Sequence, residues 1–133
     1  MSKPWIHSKS SARKFGGKPE DYLDIHNFMD SSKAVIADNR HRALTHNSWF
    51  IGTVLERVFG TTFENSAGKI ISVRDIGEQH VIEDMGCIPS GQDYLAELEY
   101  HGWMEGRGKK PPSFAKIAAS QKVTTTEFKW DKD

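Results

Sequence analysis

Two of the six histidines in this sequence open the same short pattern: His26 with Asp30, and His80 with Asp84, each read H-x-x-x-D. Four residues along an α-helix turn the chain through about 400°, so each pair presents an imidazole and a carboxylate on one face, about one turn apart. That geometry holds a divalent ion through both groups, or through one while the other orients it. His46 lies on a further predicted helix. Burying several ionisable groups together with no cation among them is costly. His26, Asp30, His46, His80 and Asp84 are therefore the candidate metal ligands. Imidazole and carboxylate donors suit zinc, manganese or iron, and the sequence does not choose among them. A single cysteine, Cys87, excludes both an internal disulfide framework and a multi-cysteine zinc site.

Other residues could complete a reactive centre. Glu78 and Glu83 flank His80 and are candidate catalytic proton acceptors for a water activated by the ion. Lys33, Arg40, His41 and Arg42 form a candidate anion-binding group for phosphate or carboxylate, three of them at a predicted helix start. Taken singly, each residue has an ordinary explanation: a hydrogen-bonded core histidine, an exposed helical glutamate, or an arginine paired with a neighbouring acid. The two matching pairs and His46 together favour the metal.

The elements that must position these residues are mainly helical. Pro19-Glu20-Asp21 has the chemistry of a first helical turn, and a helix is predicted over 19–37 with Tyr22, Ile25, His26, Met29, Lys33 and Ile36 at helical spacing. Asp38-Asn39 interrupts it, and a second helix is predicted over 40–59, capped by Gly60, with Leu44, Ile51, Leu55 and Val58 as its buried stripe. If the turn is centred near Asp38, this helical hairpin sets Asp30 level with His46. On an intact helix His41 and His46 point about 140° apart, which makes His41 an outer member unless the helix begins after it. A β-hairpin is predicted over 61–73, turning at Asn65-Ser66-Ala67-Gly68. Ser72 with Asp75 opens a third helix that ends at Gly86, and Ser90 with Asp93 opens a short fourth carrying Tyr94, Leu95 and Leu98. Trp103-Met104 is expected to close the core. The fold class is thus mainly α, about four helices with a small hairpin inserted between the second and third.

A net charge of zero conceals segregation. Residues 1–18 carry five basic groups and no acid, residues 19–104 six basic groups against fourteen acids, and residues 105–133 seven against four. The first stretch reads as a basic arm whose Trp5, Ile6 and Phe15 anchor it to the body. Residues 1–104 are expected to form one domain, and 105–133, beginning with a Gly/Lys/Pro linker, a flexible tail with a short helix near 113–120 and an extended piece near 123–128. No apolar run approaches the roughly 18 residues of a membrane span, and the N-terminus lacks a secretory signal. A cytoplasmic location without a membrane partner is expected. No phosphate loop and no G-x-S-x-G motif is present.

Ser11 to Tyr22, Ile25-His26, Asp30 to Lys33, Arg40 to Leu44, His46, Val58-Phe59-Gly60 and Gly77 to Pro89, with its GEQHxxED-G-x-IP pattern, resemble a widespread family of small uncharacterised proteins from bacteria and phages. The resemblance covers about residues 11–104. It implies the extent of the domain, including the basic stretch from Ser11, and a bacterial location or the host cytoplasm for a phage protein. More distantly the His/Asp arrangement resembles HD-type metal phosphohydrolases, but their adjacent His-Asp pair is missing, since Arg42 follows His41 and Asn47 follows His46.

Two functions follow as expectations. The first is a metal-binding helical domain acting as a metal-dependent hydrolase on a small-molecule phosphoester. The alternative is a non-enzymatic interaction protein whose basic arms grip a protein or nucleic acid, with the C-terminal tail serving a protein partner or a second copy of the chain.

Overall fold

The computed structural model describes residues 3–106 and 108–113. The chain divides into two compact units, residues 1–97 and residues 98–133. Among the described residues the second unit contains a 3-10 turn, Gly102–Glu105, with Trp103 exposed. The expected helix near 113–120 and extended piece near 123–128 fall almost entirely outside the described residues.

The first unit is mainly α with one small antiparallel hairpin. Its first helix, α1 (Pro4–Phe15), replaces the expected basic arm. Pro4 supplies a pre-set first-turn φ, and Arg13 and Lys14 lie at the negative end of the helix dipole. His7, Ser8, Ser10 and Ser11 form the buried face, so α1 docks through polar side chains, which is why an apolar pattern did not announce it. Gly16 and Gly17, both at positive φ, turn the chain sharply into α2 (Glu20–Met29). A side chain at Gly17 would collide with the Asp21 carboxylate. That carboxylate accepts hydrogen bonds from Lys18 N, Ser66 N and the Ser66 hydroxyl, tying this turn to the hairpin loop.

Helix α2 is shorter than predicted. It gives way at Asp30 to a 3-10 turn, Ser31–Ala34. The predicted second helix is broken as well. A 3-10 turn, Asn39–His41, leads into α3 (Arg42–Thr45), and the chain leaves helical geometry at His46. Asn47 restarts it: its side-chain oxygen accepts from Phe50 N at 2.8 Å, and its amide donates to Ala43 O at 3.0 Å. A π-helical segment, Phe50–Leu55, then runs into α4 (Glu56–Phe59). Ile51 and Leu55 are buried whereas Leu44, ahead of the break, and Val58, past the π-helical segment, are exposed although all four were expected on one stripe.

Strands β1 (Thr62–Glu64) and β2 (Ile70–Ser72) pair antiparallel with Phe63 opposite Ile71. Helix α5 (Val73–Met85) follows without a gap, its Ser72 hydroxyl accepting from Asp75 N and Gly86 ending it in the left-handed conformation. Ser90 and Asp93 complete a reciprocal cap on α6 (Gly91–Leu95). The apolar core gathers Tyr22, Ile25, Met29, Phe50, Ile51, Leu55, Ile71, Val73, Ile76 and Val81. Gly77 lets α5 approach the π-helical segment, since a Cβ there would lie 2.6 Å from Leu55 Cδ2. No helix among the described residues is long and apolar enough to cross a membrane.

Candidate metal centre

A polar core adjoins the apolar one, and four segments converge on it. Helix α1 contributes His7, α2 contributes His26 with Asp30 just past its end, the break after α3 contributes His46, and α5 contributes His80 and Asp84. The four histidines are completely buried. The Asp84 side chain is also inaccessible and that of Asp30 is 5% exposed.

Four of these residues turn one donor atom each toward a common point. His80 Nε2 lies 3.1 Å from Asp30 Oδ1 and 3.3 Å from Asp84 Oδ2. His46 Nε2 lies 2.9 Å from Asp84 Oδ2 and 3.8 Å from Asp30 Oδ1. The donor atoms of Asp30, His46, His80 and Asp84 all fall within 4.8 Å of one another, so this group could hold a metal ion. Each of the four is gripped on its other polar atom by one outer residue. Thr45 Oγ1 meets His46 Nδ1 at 2.8 Å, and His26 Nδ1 meets His80 Nδ1 at 2.9 Å. Lys33 Nζ meets Asp30 Oδ2 at 3.5 Å, and His7 Nε2 meets Asp84 Oδ1 at 3.1 Å. Outer partners of this kind fix tautomer and ring orientation for ligating histidines.

The hydrogen bonds also fix where the protons sit. Gln79 Nε2 faces two groups that only accept, His7 O and Glu83 Oε1, each at 3.1 Å, so its Oε1 must face Ser11. The Ser11 hydroxyl donates its one proton to that oxygen at 2.6 Å. Ser11 therefore accepts from His26 Nε2–H at 2.8 Å. Burial, and then the neighbouring His80 and His7, push the His26 pKa down to about 3, so this ring is neutral and its Nδ1 is bare. Only a proton on His80 Nδ1 completes the 2.9 Å contact between the two rings. His80 Nε2 is then aimed between two carboxylates, an arrangement completed either by a proton on Nε2 or by a bound cation.

Both carboxylates are ionised. Burial raises their pKa values, but for Asp84 hydrogen bonds from His46, His7 and His80 outweigh it and hold the acid far below its usual range. For Asp30 the bond and charge of His80, with Lys33, do the same more weakly. Burial lowers the His46 pKa, and the hydrogen bond to Asp84 only partly opposes this. Burial also acts on His7, yet bonds to Asp84 and Glu83 more than offset it and its pKa rises. His7 has a carboxylate on each nitrogen, at 2.8 Å and 3.1 Å, and both bonds have a proton only when the ring is charged.

The residues singled out from sequence are thus distributed over two layers. Asp30, His46, His80 and Asp84 lie together, and the level pairing of Asp30 with His46 is present. His26 stands behind His80, with both its nitrogens engaged by Ser11 and His80. Glu83 also lies one layer out, where it accepts from His7, Ser10 and Gln79 and pairs with Lys14. Glu78 makes no hydrogen bond or ion pair to the cluster and is partly exposed. The anion-binding group separates: Arg40 is exposed and clamps Asp38, which holds that carboxyl down at about 2, whereas Lys33 pairs with Asp30. His41 is fully buried, its ring edge-on to His46 with centroids 5.5 Å apart; it lies in the 3-10 turn ahead of α3, the case in which the helix begins after it and the separation of about 140° does not apply. Contributors that the sequence reading does not include are His7, Ser11, Thr45 and Gln79. His7 and Ser11 share the four-residue spacing of the two recognised pairs, and that signal was available.

Residues 2–104 match the model of a family described as a domain of unknown function, DUF6915, and the chain belongs to that family. No curated protein and no solved structure matches it.

Proposed function

We propose that this chain binds one divalent transition-metal ion through His46 Nε2, His80 Nε2, Asp30 Oδ1 and Asp84 Oδ2, and that the ion serves phosphoester hydrolysis. The observation that carries the reading is the convergence of two imidazole nitrogens and two carboxylate oxygens within 4.8 Å of one another in a buried site. Two nitrogens and two oxygens suit zinc, manganese or iron(II). Four protein donors fill a tetrahedral shell but leave two positions on a six-coordinate ion, so the hydrolytic role goes with manganese or iron. An ion there supplies Lewis acidity toward a phosphoryl oxygen. In this reading residues 1–104 are the working domain, His26 orients His80, and Glu83 takes up a proton through His7 rather than directly. Glu78 has no such path.

A second reading is favoured by the complete burial of His46, His80 and the Asp84 side chain. Closed sites with four protein ligands are usually structural. The ion would then fasten α1, α2, α3 and α5 together in a non-enzymatic protein that binds its partner through charged surfaces.

Metal analysis of the purified protein, followed by assay of bis(p-nitrophenyl) phosphate with zinc, manganese or iron(II), separates these readings. A loaded and active protein supports hydrolysis; a loaded and inactive one supports the structural role. No metal at any stoichiometry, with a melting temperature indifferent to chelator, removes both.

A further inference from the structure

A line of hydroxyl groups leads away from the metal set. His46 Nδ1 meets Thr45 Oγ1 at 2.8 Å, Thr45 Oγ1 meets Ser32 Oγ at 3.0 Å, and Ser32 Oγ meets His41 Nδ1 at 2.7 Å. All four residues are buried. Each hydroxyl owns one proton, so the line can point only one way or the other. With the His46 Nε2 lone pair on an ion, Nδ1–H donates to Thr45, Thr45 to Ser32, and Ser32 to His41 Nδ1. His41 is then left with its proton on Nε2. That nitrogen is buried and has no hydrogen-bond partner.

The next residue presents a second unmet donor. Arg42 Nε is buried without a partner, and the half-buried guanidinium forms no hydrogen bond or ion pair among the described residues. Its neighbours behave differently, since Arg40 is paired with Asp38 and Lys33 with Asp30. Burying a guanidinium with no anion is costly. Lys33 and Arg42 are both near enough to His41 for their charges to act on its ring. Two unmet donors on consecutive residues, beside the metal set and among cations, describe a place for an anion.

We propose that His41 Nε2–H and the Arg42 guanidinium receive the phosphoryl group of the substrate, and that the hydroxyl line makes this site complete only when the metal is in place. The inference rests on the metal reading above. A phosphoryl dianion suits it better than a carboxylate, because a guanidinium and an imidazole N–H together match several oxygens and more than one charge. Arg42 is the partly exposed member, so the ligand reaches His41 along the guanidinium.

Inorganic phosphate titrated calorimetrically into the full chain, with metal content measured on the same samples, tests the proposal. Metal-loaded protein should bind phosphate at least tenfold more tightly than metal-free protein and should ignore acetate at equal concentration. Arg42→Gln should lose tenfold or more in phosphate affinity while keeping its metal and melting temperature. Thr45→Val, which interrupts the line and also removes the outer partner of His46, should bind metal more weakly and, compared at metal concentrations that keep it loaded, should lose most of the gain in phosphate affinity; Thr45→Ser should restore both. Nitrogen-15 spectra of the imidazoles should show the His41 proton on Nε2 in the loaded protein. Loaded wild type that ignores phosphate, or Arg42→Gln that binds it like wild type, would overturn the proposal and leave the metal reading standing. A chain that loads no metal overturns both.

Discussion

His26 and His80 face each other through Nδ1 at 2.9 Å, and only one of these nitrogens can carry the proton. The order of donors from Gln79 through Ser11 gives it to His80. Replacing His26 with Ala removes the acceptor that fixes the His80 tautomer while leaving all four proposed ligands in the chain. Metal affinity should fall about 10–100-fold, the usual cost of losing such an outer partner. Competition with a chromophoric chelator measures it, and an unchanged affinity would show that His80 is not positioned in this way.

Removing the metal should cost stability by mass action. An ion that binds only the folded chain adds about 2.7 kcal/mol when it stands at 100 times its dissociation constant. Thermal unfolding with and without chelator should show a clear fall, reversed by adding back zinc, manganese or iron(II). The same experiment on His80→Ala should show no response to the ion.

The metal-free protein should weaken in mild acid. His26 has its folded pKa depressed to about 3, and those of His41 and His46 are lowered too, by burial in each case first. Between the folded value and the unfolded value near 6.5, the unfolded chain binds the extra proton, so stability is present at neutral pH and declines as pH falls through 6.5 toward 3. One such histidine contributes a slope of up to about 1.4 kcal/mol per pH unit. His7, whose folded pKa is raised, works the other way: its contribution is full below 6.5 and fades as pH rises through the folded value. Three lowered groups against one raised group predict a net loss in acid. Denaturant midpoints that stay level between pH 7 and pH 5 would contradict this.

Gly77→Ala should destabilise the apolar core by about 1–3 kcal/mol. The added methyl meets Leu55 Cδ2 at 2.6 Å and Ile51 Cγ2 at 3.2 Å, and both neighbours are buried. Leu55→Ala should cost less in the Gly77→Ala background than in the wild type, because it vacates the space the methyl needs. Chemical denaturation of the single and double variants decides the matter.

The sequence disclosed the α5 caps and the hairpin, because each depends on residues a few positions apart, and the level pairing of Asp30 with His46, which depends on where the chain turns between them. It also placed His80 and Asp84 on one helix face. The break at His46 was hidden, since Asn47 restarts the helix through a side-chain hydrogen bond that leaves the apolar spacing nearly intact. That restart lies between the exposed Leu44 and the buried Ile51. Helix α1 was obscured for another reason. Its inward face is built of His7, Ser8, Ser10 and Ser11, and the partners of His7, Ser10 and Ser11 lie far along the chain at Gln79, Glu83 and Asp84, so the sequence reads as a basic arm anchored by Trp5, Ile6 and Phe15, of which Trp5 and Ile6 are in fact exposed.

His7 and Asp84 stand 77 positions apart and yet touch. At a ribosomal pace of about 5–20 residues per second, the histidine waits several seconds for its carboxylate to be made. For about the second half of that interval His26, Asp30 and His46 already exist while half of the proposed metal grip does not. An ion meeting the growing chain finds only an incomplete claw, and the full one forms when α5 arrives to close the bundle. Capture therefore belongs to the finished polypeptide, and release during synthesis would leave no trace in the mature molecule.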